Sequence, residues 1–460
     1  MTRCVEGLLL TVSVFAAAVL AGCTRSVAGF APGASVDASD DGTPPGAPNP
    51  TGPATPAQPT GGYGDDGGLA AVDCGMTGVP DLVTADTAFA TAFLAPAVAQ
   101  AGDGGTNVIV SPYSLSNALM MLDVGAAGET ETQIEHVLSL PASATAEASA
   151  YAGLACALEG DGSSNGNSLD VVNSLWGQQG VSFEAPFLAT FAQGYDAPLQ
   201  TVDFAADPAS AAMTINAWAS QMTQGLIPSL LGPADVTMKT EVVLVNAVSF
   251  KGTWATGFDA SMTTPHPFTF LDGSRAMVAT MTGTVQASVA SSSSLVVVEL
   301  PYKGNAIVLD VLMPLGTSGT VQSFESTLTP ATLGAALAQL GTPSWVVVDL
   351  PKFSFTTHVE LAPVLEGMGM TDAFTQGVAD LSAMAADAGL TVSAVVQQAV
   401  IEVDETGTVA AAGTGVVGCG DCLAVEEPPV IQIDHPFVVL IRDARNGAVL
   451  FMGQVVNPAG

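Results

Sequence analysis

The chain has 460 residues, enough for roughly two or three ordinary domains or for one unusually large core. Apolar residues make up 48% of it, so a sizeable core is within reach. Nine Lys and Arg against 43 Asp and Glu leave a formal charge of −34. That balance excludes nucleic acid as a partner, because no basic patch is present to release counterions from phosphates.

Residues 1–22 read as an export signal. Arg3 supplies a basic start, residues 7–19 form an apolar core, and Leu20-Ala21-Gly22-Cys23 closes the segment. The core is shorter than the ~20 residues that a membrane-spanning helix needs. Leu-Ala-Gly-Cys resembles the lipobox of bacterial lipoproteins, which implies that Cys23 is diacylated and becomes the mature N-terminus. Residues 23–79 carry Pro, Gly, Ala, Ser and Asp with almost no large apolar side chain, a composition that predicts a disordered tether. The chain is therefore expected to be exported and lipid-anchored at the cell envelope, facing the periplasm or the exterior. With Cys4 removed and Cys23 lipidated, Cys74, Cys156, Cys419 and Cys422 remain. An oxidising compartment permits two disulfides among them; Cys419 with Cys422 is nearest in sequence, which leaves Cys74 with Cys156.

Residues 80–460 read as one long folded domain without internal repeats. An amphipathic helix is expected over 81–100, with Phe89 and Phe93 on one face and Pro96 placed to kink or end it. A short strand over 107–110 precedes Ser111-Pro112, where Pro suits a first helical turn, and a helix follows over 114–125. Strands are expected over 170–176, 241–250, 294–300, 306–314 and 345–350. Two more, over 436–441 and 448–456, flank the turn signal Asn446-Gly447. Helices lie mostly early and strands late, so the class is α+β. Near the end, Ile401 and Val403 alternate with Glu402 and Asp404 as in a half-buried strand. The strand then gives way to small residues from Gly407 to Gly415, able to slide between two existing strands.

Several motifs carry a resemblance to a known family. NVIVSPYSLSNALMMLDVGAAGETETQI (107–134) and LVNAVSFKGTWATGF (244–258) come first. LPKFSF (350–355), DAF with ADLS (372–382), VIEVDETGTVAAAGT (400–414), HPFVVLI and LFMGQVVNP follow in order. Over residues 81–458 the chain resembles the serpins. The resemblance implies an α+β fold of three β-sheets and eight to nine helices with an exposed reactive-centre loop. It implies a suicide inhibitor of serine, sometimes cysteine, proteases, expected to act as a monomer. The protease cleaves the loop and is held as an acyl-enzyme while the freed hinge inserts as a new strand in the large sheet. The alternative within the family is a non-inhibitory binding or structural module at the cell surface.

On this resemblance Glu405 ends the strand, Gly407 gives a flexible turn, and Thr408 enters the sheet first, followed by Ala410, Ala411 and Ala412. Thr is β-branched and fits a tight slot, and the Ala residues need almost no space. Val409 stands where the family commonly has an acidic residue, on the outward face. Gln397 stands where the family usually has His, and is expected to meet Ser111, Ser114 and Asn246 beneath the strands that must part; Trp254 marks the neighbouring breach. Gln retains donor and acceptor capacity without a pH-dependent charge. The family's spacing counted on from Gly407 puts the scissile bond between Asp421 and Cys422, whereas counting back from Pro436 puts it near Val425. Asp421 suits an Asp-preferring protease, Leu423 a chymotrypsin-like one, and Val416 or Val417 an elastase-like one.

The sequence carries no coherent enzyme or cofactor motif. Gly413 to Gly418 matches the dinucleotide fingerprint in letters, but no helix is expected after it and the acidic partner is missing. Gly162-Ser-Ser-Asn-Gly166 matches a nucleophile elbow but is expected in a polar loop with no strand before it. Cys419 and Cys422 lack further zinc ligands nearby, and a loop Cys pair lacks the helix terminus that activates a redox thiol. No metal or cofactor is expected.

Overall fold

The computed structural model describes residue 74 and residues 77–102, 104–140, 144–194, 199–316, 320–386, 389–408 and 428–460. The first helix, α1 (Val79–Gly102), passes through Pro96 instead of ending there. Its length and composition would suit a membrane span, yet Leu82, Phe89, Phe93 and Leu94 are fully buried in the main core. Next, β1 (Val108–Val110) leads to Ser111, which caps α2 (Pro112–Asp123): its Oγ accepts from the Ser114 amide at 3.1 Å. Pro112 occupies a position where the helix needs no amide donor. Beyond α3 (Gly128–Leu138), α4 (Ala144–Asn165) is rich in Ala and Gly. Residues 162–165, expected in a loop, instead close that helix. A disulfide between Cys74 and Cys156, Cα atoms 5.5 Å apart, ties the residue preceding α1 to α4.

The chain continues through β2 (Ser168–Gln178), α5 (Ala185–Gly194), β3 (Gln200–Val202) and α6 (Pro208–Met222) to β4 (Val242–Thr253). Four antiparallel neighbours follow, β5 (Thr264–Thr269), β6 (Arg275–Ser291), β7 (Leu295–Pro301) and β8 (Ile307–Pro314). Two short helices, α7 (Val321–Ser326) and α8 (Pro330–Leu337), precede β9 (Ser344–Pro351) and β10 (Phe353–Glu360). After α9 (Ala362–Met368) come β11 (Val392–Val403), the two-residue β12 (Gly407–Thr408) and β13 (Val430–Gln432). The hairpin of β14 (Phe437–Asp443) and β15 (Val449–Val455) ends the fold.

These strands build the three sheets of the expected α+β fold. The first has the order β10-β11-β12-β4-β2-β3. The second runs β1-β15-β14-β8-β7-β6 and the third β5-β6-β9-β13, joined because the 17-residue β6 serves both. The second sheet buries an ion cluster, in which Arg442 Nε donates to Asp310 at 2.6 Å and the same guanidinium reaches Glu299. Burial lifts the Asp310 carboxyl to about 6 despite Arg442 beside it.

The first sheet lies between two apolar layers, and β4 shows why. Val242, Leu244, Val248 and Phe250 face the main core. Val243, Val245 and Ala247 face Ala211, Ile215 and Ala219 of α6 on the opposite side. A strand covered on both faces is apolar throughout rather than alternating, as this one is. Asn246 interrupts that run, and it marks the site.

Candidate functional site

The centre of the first sheet is a seam between two parallel strands. β11 and β4 pair directly from Val392 opposite Val242 to Val400 opposite Ser249. Farther along they part, and β12 fills the gap: Thr408 pairs with Val403 on one side and with Gly252 on the other.

The turn into β12 is set by local chemistry. β11 ends at Val403, two residues before Glu405, and Asp404 organises the reversal. Its Oδ1 accepts from the Thr406 amide at 2.8 Å, the Thr406 hydroxyl at 2.7 Å and the Gly407 amide at 3.1 Å. Gly407 has φ of 150°, and a Cβ there would lie 1.9 Å from the Gly252 carbonyl oxygen. Both the backbone angle and the close approach require glycine. Gly407 is thus part of the inserted strand as well as the turn, and Thr408, expected as the first residue to enter, is already seated.

Around this turn the breach is tied at several points. Trp254 Nε1 donates to the Asp404 carbonyl at 2.9 Å, and the Trp254 amide donates to the Thr406 carbonyl at 2.9 Å. The Glu405 carboxylate accepts from Lys352 Nζ at 2.7 Å and from Thr263 Oγ1 at 2.6 Å. Burial alone would raise this carboxyl, but the hydrogen bonds from Lys352 and Thr263 and the Lys352 charge outweigh it and hold the group below its ordinary range. The Tyr302 ring stacks on Trp254 with centroids 4.6 Å apart and meets Phe250 edge-on at 5.0 Å. Its hydroxyl shares a hydrogen bond of 2.6 Å with Thr408 Oγ1. Burial raises the Tyr302 phenol well above its ordinary value, so it stays protonated.

Lower on the seam lies a buried polar ladder. Gln397 pairs in register with Asn246, and Asn246 with Asn173, so three amides cross β11, β4 and β2 side by side. Gln397 Oε1 accepts from the Ser111 amide at 2.9 Å, while Nε2 donates to the Ser111 carbonyl at 3.0 Å and to Asn246 Oδ1 at 2.7 Å. Asn246 Nδ2 donates to Ser114 Oγ at 2.5 Å and also to Asn173 Oδ1. Ser111 Oγ donates to the Leu450 carbonyl at 2.6 Å, linking the ladder to β15. Gln397 therefore touches Ser111 and Asn246 directly and reaches Ser114 through Asn246.

Sequence reasoning missed Asn173, Tyr302, Asp404, Lys352 and Thr263 as members of the site. A signal existed for Asn173, a lone amide in an apolar strand as Asn246 is in β4. Of the other sequence-derived site residues, Cys23, Ala410, Ala411, Ala412, Cys419, Asp421 and Cys422 lie outside the described residues. Among the described residues no group of three or more His, Cys, Asp and Glu is placed to hold a metal ion.

Comparison with known proteins agrees with this architecture. The family model for "Serpin (serine protease inhibitor)" matches residues 84–458. Human Serpin B11 is 33% identical over 374 residues, spanning 77% of this chain and 94% of that protein. Native protease nexin-1, crystallised with heparin, superposes with a TM-score of 0.72 at 27% identity, covering 83% of this chain and 99% of the other. Thyroxine-binding globulin in complex with thyroxine gives 0.72 at 27% identity, covering 82% and 99%. A model that accounts for residues 84–458, with a three-sheet fold to match, settles the family: the chain belongs to the serpins.

Proposed function

We propose that the chain is a suicide-substrate inhibitor of serine endopeptidases, with cysteine endopeptidases as the second target class. The target's nucleophile attacks the carbonyl of the scissile peptide bond, the amine side leaves, and the acyl group remains on the protease. The freed N-terminal side of the loop then inserts between β11 and β4 and carries the protease with it before water completes hydrolysis. The new strand adds ladder hydrogen bonds and buried contacts, which supply the driving force. The observation that carries this reading is Thr408, seated between Val403 and Gly252 and continued in sequence by Val409, Ala410, Ala411 and Ala412. A strand of that composition meets little steric resistance on entering the seam.

Counting on from the hinge puts the cleaved bond between Asp421 and Cys422, and a Cys419–Cys422 disulfide would restrain the loop tip there. The lipobox-like segment supports export and anchoring through lipid on Cys23, as in bacterial lipoproteins. Labelling with a fatty-acid analogue that is lost in Cys23→Ser tests the anchor.

The second reading is a non-inhibitory binding module, which the likeness to thyroxine-binding globulin favours. The cleft beside His266, Asp349 and Gln432 holds only about 50 Å³, far short of the ~300–1,000 Å³ of ligand sites. One experiment separates the two readings. The purified chain is incubated with a protease panel and run on denaturing gels. An SDS-stable covalent complex supports inhibition; clean loop cleavage without complex, across the panel, overturns it.

A further inference from the structure

We propose that the Tyr302 hydroxyl is a latch that keeps Thr408 inserted in the sheet before any cleavage, so that strand insertion starts from a nucleus already in place. The mechanism above requires only that Thr408 enter after the loop is cut. In the uncleaved chain Thr408 is already only 1% exposed. It lies at the end of the seam where β11 and β4 have stopped pairing with each other, so this gap depends on an occupant.

The slot is shaped for that occupant. Gly407 lies opposite Thr253 so closely that a Cβ on it would meet the Gly252 carbonyl, and a Cβ on Gly252, opposite Thr408, would lie 2.7 Å from the rings of Phe250 and Tyr302. Gly407 lets the strands close, Gly252 leaves room for the two rings, and Tyr302 then forms the wall that Thr408 meets. Stacking on Trp254 and the edge contact with Phe250 fix the Tyr302 ring. Its hydroxyl can therefore reach Thr408 Oγ1 without choosing among rotamers, and the 2.6 Å bond satisfies two hydroxyl groups of fully buried residues at once. A buried hydroxyl without a partner is penalised, whereas two matched apolar groups are not. The pair is consequently favoured as Tyr with Thr, or as Phe with Val, and disfavoured in either mixed combination. Tyr302 is a positioning residue in this scheme: it acts through Thr408 and touches no protease. Its effect on inhibition rests on the function proposed above, but the seating of Thr408 does not.

The test is a double-mutant cycle on the uncleaved chain, with hydrogen exchange read at the amides of residues 402–408. In the parent chain the Gly407 and Thr408 amides are expected to exchange more slowly than free chain. Tyr302→Phe and Thr408→Val should each accelerate them about tenfold, the cost of one stranded hydroxyl. The double variant Y302F/T408V should return close to the parent rate. Parent amides exchanging at the free-chain rate overturn the latch. So do single variants that leave the rate unchanged, a double variant no slower than the faster single, or equal acceleration at β14 amides, which would make the effect global. Denaturing gels then read the consequence with a target protease. Each single variant should give more cleaved chain per covalent complex, and the double variant should recover. A parent chain that forms no complex refutes the inhibitory function without altering the exchange result, so the two failures are distinct.

Discussion

Replacing Gln397 by Ala probes the polar ladder where the sheet must part. The residue is 1% exposed and three hydrogen bonds end on its side chain. Truncation strands the Ser111 amide and Asn246 Oδ1, and it takes one of two donors from the Ser111 carbonyl, which keeps the Leu115 amide at 3.1 Å. An orphaned amide costs about 2 kcal/mol and each under-satisfied oxygen about 1 kcal/mol, so the loss is about 4 kcal/mol, with a small cavity added. That is a large share of the ~5–15 kcal/mol that holds a typical domain together. Equilibrium urea unfolding of the uncleaved chain is the assay, read as a fall in the midpoint. Gln397→His is the control for chemistry, since a neutral imidazole can serve two of the three partners but an imidazolium presents only donors. Burial depresses the imidazole pKa in the folded chain, so the unfolded state binds more protons and the variant should lose stability as pH falls below about 6.5. The parent should show no such loss from this site, because an amide does not titrate. A Gln397→Ala unfolding free energy within about 0.5 kcal/mol of the parent would refute the reasoning, since it would mean that the three partners find substitutes.

Other expectations concern separate parts of the molecule. Glu325 on α7 is buried, its Oε1 has no hydrogen-bond partner among the described residues, and burial lifts its carboxyl to about 7. The folded state therefore holds this proton more tightly than the unfolded one, and stability should fall by roughly 3 kcal/mol as pH rises from about 4.5 to about 7. Glu325→Gln should flatten that decline in urea titrations at pH 5 and pH 8. Serine at both Cys74 and Cys156 opens a cross-link spanning 82 residues and should lower stability by about 4 kcal/mol in the same assay. Gly407→Ala places a Cβ against the Gly252 carbonyl and should expel the hinge, shifting the gel pattern from complex toward cleaved chain. Thr408→Arg brings a charge into a buried slot bounded by Tyr302, Val403 and Gly252, and should yield cleaved chain with little or no complex.

How much of this was legible in the sequence depended on whether the signal was local. The unbroken apolar run of β4, the Ser111-Pro112 helix start and the small residues after Gly407 each state their structure within a few positions. The long strand β6 was not legible, and its burial shows the reason: Ala287 and Ser288 are both buried, so the alternation slips where the strand passes from pairing with β9 to pairing with β7, from one sheet to the other. The Ala- and Gly-rich α4 was equally obscure, because its composition mixes the strongest helix former with one of the weakest and leaves no clear apolar stripe. In the site the division is the same. Gln397 could be assigned partners because the family motifs carry Ser111, Ser114 and Asn246, yet its bonds to Ser111 are to backbone atoms that no motif names. Lys352 lies inside the quoted LPKFSF block, but its pairing with Glu405 arises only because Phe353 and Val403 stand opposite each other in register. Tyr302 is separated from Thr408 by 106 residues and meets it only because β12 has entered the seam. The contacts that escaped the sequence are therefore those created by closing the sheet around the hinge, the same contacts that would have to change if the seam opens to take a strand.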